Sequence, residues 1–236
     1  MKHAPPAPPE LGTREGLSYA LFRPEGDAPA GVVVVHGADS AKESHFDFAR
    51  NLRTAGLVAL TYDVRGHGSS AGEFGPTAFG DVLSMCDLVR QHAPQVAIRG
   101  SSMGGWQAIH AAALDYSIAA VVALCPAPEE RLARLLRSPD EAYEMRVDRE
   151  PVAGWIERQD VFDAVTKLGP DTGLLLLHAQ GDERVPYTVS EELHAAAHEP
   201  KRLVIVPGGH HRSLQHDMEI QDLSRRFVLE SVGRRA

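Results

Sequence analysis

Residues 96–105 read Val-Ala-Ile-Arg-Gly-Ser-Ser-Met-Gly-Gly, and an alanine-rich segment from Trp106 to Leu114 follows them directly. The first four residues have strand composition and the alanine-rich segment favours helix, so the glycines between them must turn the chain sharply. Gly100 and Gly104 frame Ser102 in a G-x-S-x-G pattern. Lacking side chains, they let strand and helix approach closely, and Ser102 is then held on a strained turn with its hydroxyl exposed. The strand before and the helix after separate this pattern from chance occurrences of the bare motif.

Outward from this turn, short apolar runs at 17–22, 31–36, 57–62, 118–124, 173–178 and 202–206 alternate with helical patterns. Most are continuous Val, Leu, Ile or Ala, the composition of strands covered on both faces. Phe48, Leu52 and Ala55, then Phe79, Val82, Leu83, Cys86 and Val89, then Ile220, Leu223 and Phe227 recur at helical spacing and read as core-facing stripes. The alternation implies right-handed crossovers and an α/β class fold, a doubly wound, mostly parallel sheet flanked by helices, with chemistry at the carboxyl ends of the strands. A length of 236 residues suits one domain, expected over 13–236. Residues 1–12, with four prolines between Lys2 and Pro9, read as a flexible arm. The stretch 126–168 is too long for one crossover and reads as a small, cap-like helical insertion.

With 24 Lys and Arg against 32 Asp and Glu, the formal net charge is −8, which disfavours nucleic acid and acidic membranes as partners. No apolar run approaches the ~20 residues that span a bilayer, and the N-terminal stretch lacks the apolar centre of a signal peptide. Cys86 and Cys125 provide neither a disulfide framework nor a C-x-x-C pair; two half-buried thiols in a reducing cytoplasm are expected. No phosphate loop and no G-x-G-x-x-G follow the early strands, so no nucleotide cofactor is expected.

A serine hydroxyl is a poor nucleophile near neutral pH and needs a base within hydrogen-bond reach, oriented by a carboxylate. Asp182 follows the strand at 173–178, and His210 and His211 follow the strand at 202–206, so an acid and two candidate bases fall at the sheet edge that carries Ser102. The chain order Ser, Asp, His is that of a known triad type. Glu129 and Glu130 compete for the acid's place, but acids at a helix start already have a reason to be there in the helix dipole. Asp182, between Gly181 and the Val185-Pro186 turn, fits more specifically. His210, His211, His216 and Asp217 invite a metal reading; their spacing does not put two imidazoles on one helical face, and no metal is expected.

Taken together, Gly100 to Gly104, His36-Gly37, the run from Asp63 to Ser70, the run from Gly181 to Pro186 and the late Gly208-Gly209-His210-His211 make the chain resemble the α/β-hydrolase family from about Gly31 onward, the insertion excepted. The resemblance is closest to small serine esterases of the dienelactone-hydrolase and feruloyl-esterase neighbourhood. It implies a serine hydrolase of small or medium carboxylic esters, with Ser102 as nucleophile, Asp182 as acid, and the base at His211, His210 taking the variable place before it. It further implies oxyanion donors in the backbone N–H groups of Ala38 and Met103, no cofactor and a small-molecule ester as partner. His36 would brace the oxyanion loop, and the loop from Asp63 to Ser70 would shape the rim. Peptidase, thioesterase and haloperoxidase chemistry share the same triad, and a non-catalytic receptor shares the fold. Leu132, Leu135, Leu136, Tyr143, Trp155 and Phe162 are expected to form part of a lid or wall; a homodimer is left open.

Overall fold

The computed structural model describes residues 7–138 and 144–235. Its eight strands are β1 (Glu10–Arg14), β2 (Leu17–Phe22), β3 (Gly31–Val35), β4 (Val58–Tyr62), β5 (Val96–Ser101), β6 (Ile118–Leu124), β7 (Gly173–Ala179) and β8 (Lys201–Val206). They form one sheet in the order β1-β2-β4-β3-β5-β6-β7-β8, in which β2 pairs antiparallel with β1 and β4 and every other pairing is parallel. Helices α1 (Phe46–Thr54) and α8 (Met218–Gly233) cover one face, while α2 (Ala78–Arg90), α3 (Met103–Leu114), α6 (Val161–Thr166) and α7 (Thr188–Ala196) stand with the other.

Alternate residues of each strand go to opposite faces, which is why the strands read as unbroken apolar runs. Val33, Val35, Ile98, Val121 and Leu176 pack with Val82, Met85, Trp106 and Ile109 on the α2 and α3 side. Val32, Val34, Ala97, Val122 and Leu177 pack with Phe48, Leu52, Ile220 and Phe227 on the α1 and α8 side.

The sequence expectation for the N-terminus needs one correction. Residues 10–12, assigned above to the arm, belong to β1, whose register with β2 runs from Glu10 opposite Leu21 to Arg14 opposite Leu17. The first six residues of the arm lie outside the described residues. The insertion holds α4 (Glu129–Arg137), α5 (Arg149–Ile156) and α6; Tyr143 lies outside the described residues.

Candidate active site

The turn between β5 and α3 is strained at the residue that the sequence singles out. Ser102 has φ 54° and ψ −118°, a conformation that costs a residue with a side chain about 1–3 kcal/mol. Its backbone is tied down, since its N–H donates to Leu124 O at 2.8 Å and its carbonyl accepts from Trp106 N at 3.1 Å. The flanking glycines are sterically required. A Cβ on Gly100 would lie 2.1 Å from Gly104 O, and one on Gly104 would lie 2.2 Å from Val35 O. The loop after β3 reaches over the turn so closely that a Cβ on Gly37 would lie 3.3 Å from Ser102 Cβ.

Asp182 sits in the loop after β7 with its side chain sealed from solvent. One carboxylate oxygen accepts the N–H groups of Arg184 (2.8 Å) and Val185 (2.9 Å). The other lies 2.7 Å from His211 Nδ1 and 3.3 Å from His178 Nε2. Burial by itself would raise the Asp182 pKa, but the hydrogen bonds from His178, His211 and Val185 hold it well below the usual carboxylate range. A carboxylate facing Nδ1 assigns the hydrogen to that nitrogen and leaves Nε2 as the acceptor.

His211 therefore meets Asp182, and His210 does not. His210 is exposed; its backbone N–H donates to Ser213 Oγ at 3.1 Å and its Nδ1 accepts from Arg212 N at 3.3 Å. Ser102 and His211 line a single cavity of about 250 Å³. No hydrogen bond joins Ser102 Oγ to the imidazole among the described residues, and such contacts are commonly loose until substrate binds.

Ala38 lines the cavity beside Ser102. Met103 turns its side chain into the core, so only its backbone, at the first turn of α3 where N–H groups lack an intrahelical acceptor, is placed beside Ser102. His36 is fully buried, accepts the Val64 N–H at Nε2 (2.9 Å) and hydrogen-bonds Gly37 O through Nδ1 (2.7 Å), which ties the Gly37-Ala38 loop to the one after β4. Burial pushes its pKa down to about 3, so the ring is neutral. Asp63 accepts from Lys42 Nζ (2.7 Å), Lys42 N and Ser69 N (each 2.9 Å), while Arg65 forks onto Asp81 at 2.8 and 2.9 Å.

The rivals are occupied elsewhere. Glu129 is buried and accepts from Trp106 Nε1 at 2.6 Å, with His110 Nε2 at 3.2 Å; Glu130 is exposed. His216 pairs with Asp47 at 2.8 Å, and Asp217 caps α8 by accepting from Glu219 N and Ile220 N. Among the described residues, the one group whose donor atoms lie close enough to share a metal ion, within 4.8 Å, is Cys125, His178 and Asp182. His178 is already held by Ser190 Oγ (2.7 Å) and Val185 O (2.9 Å), and Asp182 by the contacts above.

Of the expected wall residues, Leu132 and Leu135 line the cavity, together with Leu124, Ala127, Val185 and Leu214. Leu136 is buried in the core, Phe162 packs against it, and Trp155 joins an aromatic cluster 5.7 Å from Trp106 and 5.5 Å from Phe79. Both cysteines are buried rather than half-buried, and burial pushes both thiols up. Sequence reasoning missed His178, whose only signal is its place four residues before Asp182, and the arginines of the cavity wall, Arg131, Arg184 and Arg212.

Comparison with known proteins agrees with this fold. The family described as serine aminopeptidase, S33, matches residues 26–149. The uncharacterized protein Rv2307c of Mycobacterium tuberculosis is 31% identical over 233 residues, covering 94% of this chain and 77% of that protein. The uncharacterized protein YfhR of Salmonella typhi is 28% identical over 205 residues, 83% and 68% of the respective chains. Est1E from Butyrivibrio proteoclasticus, solved with ferulic acid bound, has the same fold with a TM-score of 0.81 at 24% identity, over 95% of this chain and 99% of that one. A soluble variant of monoglyceride lipase from Saccharomyces cerevisiae aligns with a TM-score of 0.75 at 15% identity, over 97% and 96%. The sheet, the turn at Ser102 and these matches together place the chain in the serine aminopeptidase S33 family of the α/β-hydrolase superfamily, as a hydrolase.

Proposed function

We propose that the protein is a serine carboxylesterase of small or medium acyl esters that works through an acyl-enzyme. One observation supports this above the others: the 2.7 Å Asp182–His211 hydrogen bond stands at the wall of the cavity that Ser102 lines. Ser102 Oγ attacks the ester carbonyl carbon as His211 Nε2 takes its proton; the bond to the alcohol oxygen then breaks and the alcohol leaves with that proton. Water attacks the acyl carbon next, giving a proton to His211, and the acid departs as the proton returns to Oγ. Asp182 fixes the imidazole tautomer and stabilises its cationic form. The N–H groups of Ala38 and Met103 meet the oxyanion, a contribution of about 3–4 kcal/mol per donor.

The family's description makes amide hydrolysis the rival reading. An aminopeptidase must seat a cationic substrate terminus, yet among the described residues Asp39 is the one carboxylate that lines this cavity, and it already faces Arg212 at 3.8 Å. With that carboxylate engaged, the wall offers a cationic terminus little, which supports the ester. A fluorophosphonate probe and a series of p-nitrophenyl esters, run beside alanine p-nitroanilide, test the choice. We expect ester turnover and labelling, both abolished in Ser102→Ala, with kcat down about a million-fold. Turnover of the anilide alone would move the reaction to amides, and full turnover in pure Ser102→Ala would remove the nucleophile.

A further inference from the structure

The loop that carries His211 is left permissive by its glycines. Gly208 and Gly209 stand just before His210 with φ of 68° and 75°, in the left-handed region that glycine enters without strain and leaves as easily. Something outside the loop must then fix the imidazole. Among the described residues, the one hydrogen bond of the His211 main chain goes to a side chain: its N–H donates to Glu183 Oε2 at 3.0 Å. Glu183 is the neighbour of Asp182, so the loop after β7 grips His211 at both ends, Asp182 at ring Nδ1 (2.7 Å) and Glu183 at the backbone. The two loops already touch one residue earlier, where Gly181 N–H donates to Gly208 O at 2.8 Å and a Cβ on Gly181 would lie 2.5 Å from Gly209 O. Glu183 is exposed, so packing does not explain its place. Its other oxygen lies 3.7 Å from Arg184 Nε, outside hydrogen-bond distance. The backbone N–H groups of Glu183 itself and of His211 hold its carboxyl below the usual range.

We infer that Glu183 is a positioning residue for the base: by accepting the His211 N–H it holds the imidazole at the wall of the cavity that Ser102 lines. The inference rests on the esterase reading, in which His211 is that base. Glu183 acts through His211 and is not itself one of the described residues that line the cavity.

Two substitutions separate the hydrogen bond from the charge. Glu183→Gln keeps a carbonyl oxygen for the His211 N–H, and Glu183→Ala removes the acceptor. With p-nitrophenyl butyrate, E183A should lose roughly five- to ten-fold in kcat at unchanged KM, the effect of one solvent-accessible hydrogen bond. E183Q should stay within about three-fold of wild type, since its neutral acceptor is weaker but still in place. The rate of fluorophosphonate labelling of Ser102 should fall in the same proportions. Both variants should unfold in urea near the wild-type midpoint, because the side chain is exposed. Proton NMR gives a readout without turnover: the downfield resonance of the Asp182–His211 hydrogen bond should persist in E183Q and weaken by solvent exchange in E183A. Unchanged kcat in E183A, equal losses in both variants, a change confined to KM, or a loss of kcat that tracks a loss of stability overturns the inference. The wild-type protein separates the two levels. If it labels and turns over ester while E183A matches it, only the positioning role goes; if it does neither, the esterase reading goes and the positioning role with it.

Discussion

Asp182 is the side chain on which the site's geometry turns, because four donors converge on its two oxygens. Two are backbone N–H groups that fix the carboxylate plane, and one is the imidazole of His211. The fourth, His178, faces two acceptors through Nε2, Val185 O at 2.9 Å and Asp182 Oδ2 at 3.3 Å, so that nitrogen carries the hydrogen and Nδ1 accepts from the Ser190 hydroxyl. A buried imidazole thus restrains the acid at the same oxygen that His211 meets. Replacing it with glutamine, His178→Gln, should lower kcat for a neutral p-nitrophenyl ester on the order of ten-fold with little change in KM, the size expected for one hydrogen bond to a charged group. A rise in KM at unchanged kcat would assign His178 to substrate binding instead. Asp182 and His211 were legible because each follows a strand at a turn rich in glycine. His178 was not, because a histidine ending an unbroken run of leucines looks like core, and only the fold of the loop brings its edge to Asp182. Cys125 escaped for a similar reason: its φ of 45° and its place against Asp182 come from the loop after β6, not from any local pattern.

At the scale of elements, the nucleophile turn depends on how closely α3 approaches β3. Gly104 is where they touch, its missing Cβ standing 2.2 Å from Val35 O and 2.6 Å from His36 O, both backbone atoms of a central strand or its end. Neither can retreat without breaking the pairing of β3 with β4 and β5. Gly104→Ala should therefore lose about 3 kcal/mol or more of stability in urea unfolding and displace Ser102 enough to abolish labelling. A variant of normal stability and activity would mean that the helix has slack that the close contacts deny. The central strands could be read from sequence since burial on both faces demands unbroken apolar runs. β1 could not. Glu10–Arg14 is an edge strand, mostly exposed, and its strand state is imposed by pairing with β2 rather than by its own composition. The insertion was legible as helical, but α4 alone among its helices reaches the cavity, through Arg131, Leu132 and Leu135, while α5 spends Trp155 on the aromatic cluster.

Over the whole molecule, residues far apart in the chain are brought together at one edge of the sheet. The arginines of the cavity wall were illegible for that reason, being spread from position 131 to 212 and each unremarkable in its own helix or loop. The same packing seals several imidazoles inside. Burial lowers the pKa of His36 to about 3 and pushes those of His45 and His67 down as well, His45 being further depressed by Arg99, His36 and His216. All three are then neutral when folded, whereas in the unfolded chain they protonate near the ordinary histidine pKa of about 6.5. Below that pH the unfolded state binds protons that the folded state refuses, so stability is complete above about pH 6.5 and declines as the pH falls, by up to about 1.4 kcal/mol per pH unit for each such ring. The depressed carboxylates of Asp47, Asp63 and Asp182 act in the same direction, but only below about pH 4, where their unfolded counterparts begin to protonate. Urea unfolding at pH 7.5, 6 and 5 should therefore show a falling free energy that no carboxylate explains. In His45→Leu, which keeps the volume and removes the titration, the decline over the same range should be shallower by one ring's share. An equal slope in the variant and the wild type would mean that His45 takes up its proton inside the fold, against the burial that surrounds it.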